Sequence, residues 1–182
     1  QKWVAHARRH FIDPQTGLLV HTTTTTGQFR EATRGCTTGW NSYYLPFIDE
    51  SFAREQYDLM KKNLRKRTFL GLVGIREYPR GVDGHGDVDS GPVILALSPS
   101  GTGFAVAGAT YHQDQELLDS LLFTAEFAGF SCQRNNRRTY LLAPLVGEAI
   151  MLAMKTSTPW DGRYLSRESV AVSAPSALNI KL

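Results

Sequence analysis

Apolar residues recur at the spacing of an α-helix through much of this chain, and this period constrains the fold more than any other feature. Such spacing places apolar side chains on one face of a helix. One continuous stripe follows Asp114. Its members are Leu117, Leu118, Leu121, Leu122, Ala125 and Ala128. Four other stripes contain Trp3, Val4, Ala7 and Phe11; Trp40, Tyr43, Tyr44 and Phe47; Ala53, Tyr57, Met60 and Leu64; and Leu141, Leu145, Ala149 and Leu152. The sequence therefore predicts a mainly α fold of helical hairpins.

Capping residues and charges mark several helix ends. Asp49 and Asp114 each precede an apolar stripe, and a carboxylate there accepts free backbone N–H groups at the positive end of the helix dipole. The basic run at residues 61–67 is expected at the other end of a helix, where cations complement the carbonyl groups. The first helix is expected to stop at Asp13 and Pro14.

The remaining segments lack a helical period or interrupt it. Residues 18–39 predict an extended loop, in which the five threonines at 22–26 alternatively form a short strand. Residues 69–78 are mostly apolar and β-prone, and they predict a short β segment. Residues 98–103 are rich in Ser, Pro and Gly and are expected to break the apolar segments on either side. Residues 139–155 predict a helix.

The length of 182 residues and the mass of 20.2 kDa suit one domain with a substantial core. We expect a single domain of α-hairpins over residues 1–165. Residues 166–182 are rich in Ser, Ala and scattered charge, and predict a tail or linker.

Composition argues against several partners. The net charge of +3 and the pI near 9.0 are too weakly basic to indicate nucleic-acid binding. No stretch reaches the roughly 20 apolar residues that span a bilayer. Cys36 and Cys132 lack metal-binding spacing, no nucleotide motif occurs, and we expect no metal and no cofactor. Neither cysteine identifies the cellular compartment, so the localisation stays unknown.

A glycine-rich loop at residues 76–92 concentrates most of the chemistry in the sequence. It contains four carboxylates, a histidine and two arginines, and no apolar periodicity explains them. Asp87 and Asp89 can face one cavity if the loop turns, and close carboxylates raise each other's pKa as an acid/base pair requires. These two residues and Glu77 are therefore the candidate catalytic groups.

Two other interpretations of the same loop stay open. Asp87, Asp89 and Ser90 can cap a helix that starts near Gly91, with Arg76 and Arg80 balancing their charge. A calcium site is the third interpretation, formed by Asp83 with the same two aspartates. That loop lacks the EF-hand spacing and its distal Glu.

Candidate ligand-binding side chains lie in and before this loop. They are Trp40, Tyr43, Tyr44, Tyr78, Arg80 and His85. The aromatic rings can stack on a sugar or an apolar substrate, although spacing alone favours an aromatic core for Trp40 and Tyr44. His85 can carry protons near neutral pH, but the sequence favours a hydrogen-bonded surface histidine over this role.

Four segments of the chain, at residues 13–19, 34–47, 76–92 and 100–104, resemble parts of the linalool dehydratase/isomerase-like group of (α/α) toroids. The run Asp-x-Asp-Ser-Gly-Pro at residues 87–92 is the most specific element. The resemblance implies stacked helical hairpins around a central cavity, as in six-hairpin glycoside hydrolases and lyases, with the chemistry on loops at one end. It also implies acid/base chemistry with cysteine and carboxylate participation, and Cys36 lies in a matching segment.

The chain is too short for a complete toroid, because about twelve helices of about 11 to 12 residues each need more chain. The resemblance therefore implies a partial or reduced toroid, similar to a C-terminal half. Such a unit is expected to associate with another copy in a homo-oligomer or with a missing N-terminal half.

Two functions of different class follow. The first is a carbohydrate-active or small-molecule hydrolase or lyase, glycosidase-like or dehydratase/isomerase-like, in which loop carboxylates act as general acid and base. The second is a noncatalytic helical binding or assembly module whose acidic loop caps helices. A small-molecule or carbohydrate ligand is the expected partner of the first.

Overall fold

The computed structural model describes residues 2–135, 137–141 and 145–157. The described chain contains six α-helices. They are α1 (Lys2–His10), α2 (Gly35–Tyr44), α3 (Glu50–Leu64), α4 (Pro99–Tyr111), α5 (Gln115–Ala128) and α6 (Val146–Thr156). A short 3-10 turn at Leu45–Phe47 joins α2 to α3. The predicted mainly helical architecture is confirmed at this level.

Six short strands in the described residues form three separate antiparallel pairs. The first pair is β1 (Thr22–Thr23) with β2 (Phe29–Glu31), the second β3 (Arg65–Arg67) with β4 (Val73–Ile75), and the third β5 (Ser131–Arg134) with β6 (Arg137–Tyr140). The predicted β segment at residues 69–78 is confirmed in β4. The alternative of a short strand among the threonines is also confirmed, in β1.

Several predicted boundaries are wrong. Residues 18–39 are not one extended loop, because they contain β1, β2 and the start of α2. The basic run at residues 61–67 does lie at a helix end as predicted, because Lys61 and Lys62 are in the last turn of α3, which stops at Leu64; the run then continues as β3, which pairs with β4. The helix predicted at residues 139–155 begins only at Val146, after β6. The predicted tail lies outside the described residues.

The predicted caps are confirmed at both aspartates. The carboxylate of Asp49 accepts the N–H of Phe52 over 2.8 Å at the start of α3. Asp114 accepts the N–H of Leu117 over 3.1 Å at the start of α5. It also pairs with Lys61 and accepts the hydroxyl of Tyr57, so that α3 and α5 are tied together at this point.

Helix α4 is central to the fold, because it contacts α2, α5 and α6. Its side chains from Ala105 to Ala109 are mostly buried. Residues 98–103 do not interrupt the chain as predicted, since they form the first turn of this helix and Ser98 caps it by accepting the N–H of Gly101 over 3.1 Å. A side chain at Gly101 would meet the Gly35 carbonyl oxygen at 2.7 Å. The small residues therefore allow α2 and α4 to pack closely.

Candidate functional site

A cavity of about 630 Å³ lies between α2, α4, α5, α6 and the loop that precedes α4. Its wall is mainly apolar and includes Phe104, Ile150 and Met151. The titratable side chains on the wall are His21, Cys36, Asp89 and Tyr140. A mainly apolar hollow with a few convergent polar groups is the usual form of a small-molecule site.

Cys36 lines this cavity from the first turn of α2. Its thiol donates a hydrogen bond to Oε1 of Glu77 over 3.2 Å, and its backbone N–H donates to Oε2 of the same carboxylate over 3.1 Å. Burial and the nearby charge of Glu77 raise the pKa of Cys36 to about 12. The side chain is therefore a neutral thiol at physiological pH, which can donate a proton but is a poor nucleophile.

Glu77 lies behind the cavity wall with no exposed surface. Its Oε1 pairs with Nε of Arg34 at 2.6 Å. This pairing and the two hydrogen bonds from Cys36 account for the burial of a carboxylate, which is otherwise strongly unfavourable. Glu77 is not a lining residue, so it reaches a ligand only through Cys36. Its predicted catalytic role stays a prediction.

Arg34 bridges Glu77 to the acidic loop. Its Nη1 pairs with Oδ2 of Asp87, and its guanidinium lies 5.4 Å from the centre of the Tyr78 ring. The side chain is only 10% exposed. Its Nη2 is buried without a hydrogen-bond partner among the described residues. The charge partner of Asp87 is thus Arg34, and the expectation that Arg76 and Arg80 balance the loop is wrong.

Asp87 closes a tight turn within the acidic loop. Its Oδ1 accepts the N–H groups of Asp89 over 3.1 Å and Ser90 over 3.0 Å. The hydrogen bond from Arg34 holds the pKa of the Asp87 carboxyl well below its usual range. This direction is opposite to the raised pKa expected from two close carboxylates. Asp87 therefore stays ionised and organises the loop.

Asp89 is the acidic residue that lines the cavity among the residues described. It is exposed and lies on the wall beside Val88 and Ser90. The structure thus separates the two aspartates, because one is occupied by Arg34 and the other is available to a ligand. Their shared turn keeps Asp89 at a fixed place on the rim.

The helix-cap interpretation of the loop is wrong. No helix starts near Gly91 in the described chain, since α4 begins at Pro99 and is capped by Ser98. The calcium interpretation also gains no support, since the described residues contain no group of three or more His, Cys, Asp or Glu side chains placed to hold a metal ion. None of the described helices is long and apolar enough to cross a membrane.

Of the three aromatic residues predicted on α2 to bind a ligand, only Trp40 lies on the cavity wall. Trp40 lines the cavity, contacts the Phe104 ring edge-on at 4.5 Å and stacks on Tyr44 at 4.8 Å. Both Trp40 and Tyr44 are partly exposed, so the expectation that they form an aromatic core is wrong. Tyr43 is partly buried and packs against the larger hydrophobic core, which includes Tyr57 and Met60.

Three predicted ligand-binding residues of the acidic loop are not on the wall. Tyr78 donates its hydroxyl to the backbone carbonyl of His85 over 2.8 Å. Arg80 and His85 are exposed. Of the predicted site residues, the structure therefore brings Asp89 and Trp40 to one cavity, whereas Glu77 and Asp87 do not line it.

Three titratable residues of the wall, namely His21, Cys36 and Tyr140, were missed as site residues by the sequence interpretation. His21 contacts the Thr37 hydroxyl through Nδ1, and its Nε2 lies 3.6 Å from Glu31. Cys36 precedes Thr37 on α2. A signal for Cys36 existed in the sequence, because it lies within the segment at residues 34–47 that carries the family resemblance.

No family model matches this sequence, and no curated protein shows significant similarity to it. The chemistry of the site must therefore follow from its own geometry.

Proposed function

We propose that this protein is an acid–base enzyme of lyase or isomerase type that acts on a small, mainly apolar molecule carrying one polar group. The observation that carries this proposal is the position of the Cys36 thiol and the Asp89 carboxylate on the wall of one mainly apolar cavity. Proton transfer by positioned side chains is effective when the donor and the acceptor reach the same bound molecule.

The two groups have different roles. Cys36 is held protonated by burial and by Glu77, and it serves as the proton donor. Asp89 is exposed at the rim and serves as the acceptor. Elimination of water or migration of a double bond needs such a donor and acceptor, because one proton is delivered to the substrate and another is removed from it.

The wall favours an apolar substrate over a carbohydrate. A sugar presents many hydroxyl groups, each of which needs a hydrogen-bond partner when it leaves water. Leu97, Phe104 and Ile150 offer none. Trp40 supplies a broad ring at the edge of the cavity, which suits an apolar body or a double bond.

We further infer that the helix pairs α2–α3 and α4–α5 are part of an (α/α) toroid, as the resemblance of the sequence implies. Within such a ring, the cavity beside α2 and α4 would be its central site. A second copy or a further half would then complete the wall.

The experiment is turnover of a panel of small unsaturated alcohols and aryl glycosides, followed as alkene formation, double-bond migration or aglycone release. Conversion of the alcohols is expected, with loss of activity in Asp89→Asn and Cys36→Ala. Asp83→Asn is the matched control, since Asp83 is an exposed carboxylate of the same loop that does not line the cavity. Aglycone release instead of alkene formation would reject the lyase proposal.

A noncatalytic binding module is the second candidate, and exposed apolar side chains favour it. Phe69 is 85% exposed and Val88 is fully exposed. A binding module would retain a bound apolar ligand without converting it, and Asp89→Asn would leave its affinity unchanged.

A further inference from the structure

We propose that Arg34 is a positioning residue for the cavity thiol, because one guanidinium connects Glu77, the partner of Cys36, to Asp87 of the exposed loop. This inference rests on the proposed role of Cys36 as the proton donor. Under this inference, Arg34 does not touch the ligand itself. It controls the protonation of the Cys36 thiol, which does.

The contacts form a continuous series from solvent to the cavity. The carboxylate of Asp87 is 43% exposed, and it pairs with Nη1 of Arg34. Nε of Arg34 pairs with Glu77 at 2.6 Å, and Glu77 accepts the Cys36 thiol at 3.2 Å. Each of the two inner charged groups therefore has its position fixed from both sides.

Arg34 holds the carboxylate of Glu77 in place beside the thiol, because Nε of Arg34 pairs with it at 2.6 Å. A carboxylate without exposed surface is strongly unfavourable unless a cation or several donors accompany it. If Arg34 lost its charge, Glu77 would lose the cation that keeps its carboxylate against the thiol. It would then no longer oppose ionisation of the thiol beside it.

The groups that face the thiol oppose one another. Burial and Glu77 disfavour the thiolate, whereas a hydrogen bond from the Thr37 side chain and the more distant charge of Arg34 favour it. Asp89 and His21 share the same cavity. Because Glu77 acts on the thiol more strongly than Arg34 does, removal of the Arg34 charge should increase the thiolate fraction through its effect on Glu77.

The test measures alkylation of Cys36 by a small apolar maleimide as a function of pH, without substrate, in a Cys132→Ser background. That background leaves one reactive thiol, since both cysteines are free. The variants are Arg34→Met, Arg34→Lys and Asp87→Asn. Thermal unfolding of each variant is measured in parallel.

Arg34→Met should accelerate alkylation at pH 8 by at least about fivefold, since each unit of pKa changes the thiolate fraction tenfold. Arg34→Lys keeps the charge and should restore the rate to within about twofold of the parent. Asp87→Asn should release the loop and raise the rate by the same factor at every pH, without changing the shape of the profile.

Two results would overturn the proposal. Equal or slower alkylation in folded Arg34→Met would show that Arg34 does not set the state of the thiol. Equal acceleration in the Met and Lys variants, together with equal loss of thermal stability, would show a merely structural role. The measurement involves no turnover, so absence of enzymatic activity would refute the proposed function and leave this test intact.

Discussion

The thiol of Cys36 and the carboxylate of Glu77 lie 3.2 Å apart although 41 positions separate them in the chain. Glu77 has no exposed surface, and Cys36 is 4% exposed. The pair places a neutral thiol in the cavity wall and a buried carboxylate directly behind it.

Glu77→Gln should lower the pKa of Cys36 from its raised value of about 12, since it removes the charge that opposes thiolate formation while it keeps a similar shape. Alkylation of Cys36 at pH 8 should rise at least about tenfold. Glu55→Gln, at an exposed ion pair with Arg8, is the control and should leave the rate unchanged. An unchanged rate in folded Glu77→Gln would contradict this prediction.

His112 makes the fold sensitive to acid. Its ring stacks on Tyr57 at 4.2 Å, and its buried Nε2 has no hydrogen-bond partner among the described residues. Burial, with a smaller effect of Arg54, lowers its pKa from 6.5 to about 4. Between about pH 6.5 and 4, His112 is therefore protonated in the unfolded chain but not in the folded chain. The free energy of unfolding falls as the pH drops through this range.

His112→Phe should remove this dependence, because phenylalanine keeps the stacking on Tyr57 and does not titrate. The free energy of unfolding of the parent should fall by about 2 kcal/mol more than that of the variant between pH 7 and pH 5. Urea unfolding at the two pH values measures the difference. His85→Gln, at an exposed position, should behave like the parent.

Glu126 joins α5 to β6 and α6. Its Oε1 accepts Lys155 at 2.6 Å, Tyr140 at 2.8 Å and Arg138 at 3.0 Å. Burial raises its pKa, but the hydrogen bonds from Lys155, Ser131 and Tyr140 outweigh this effect and lower the pKa to about 2. The stability that this ionised group contributes is present above about pH 4.5, and it is lost as the pH falls towards 2.

Glu126→Gln should reduce the free energy of unfolding by about 1 to 2 kcal/mol at pH 7, and the cost should diminish progressively below pH 4.5. Glu116→Gln provides the contrast. Its ion pair with Arg65 leaves the carboxylate side chain 77% exposed, so the change should cost less than about 0.5 kcal/mol. If urea unfolding gave the same loss of free energy of unfolding for the two variants, the ion pairs of Glu126 would contribute no more than an exposed surface ion pair.

The turn at the cavity rim contains two residues in the left-handed region. Leu95 has a φ of 52° and Ala96 a φ of 65°. Each costs about 1 kcal/mol or more for an L-residue with a side chain. Ala96→Gly should therefore raise the free energy of unfolding by about 0.5 to 1 kcal/mol. Ala107→Gly inside α4 should lower it by about 1 kcal/mol or more, and a loss of stability in Ala96→Gly would contradict the expected relief.

The helices with a clear apolar period could be predicted, because their period and their caps lie within a few residues of each other. The start of α4 could not. In the sequence alone, the glycines at the start of α4 resemble a loop. Glycine is needed at position 101 because a side chain there would meet the backbone oxygen of Gly35 at 2.7 Å. Four of the short strands, β2, β3, β5 and β6, were missed for a similar reason, since a strand such as β3 exists only through its pairing with a partner.

The same limit applies to the site. Asp89 could be nominated because charge and glycine are concentrated in its own loop. The importance of Arg34 depends on Glu77 and Asp87, which lie 43 and 53 positions away. Local pattern carries no information on such distant pairing, and the sequence interpretation therefore assigned the charge balance to the nearer arginines.

The cavity takes its walls from α2, near the start of the described chain, and from α6, near its end. On the ribosome, α2 and its thiol leave the exit tunnel long before Ile150 and Met151 are synthesised. An unfinished chain would therefore expose the apolar side of α4 to water, at the stage when aggregation is the main hazard. A ligand that fills the cavity would recognise only finished molecules.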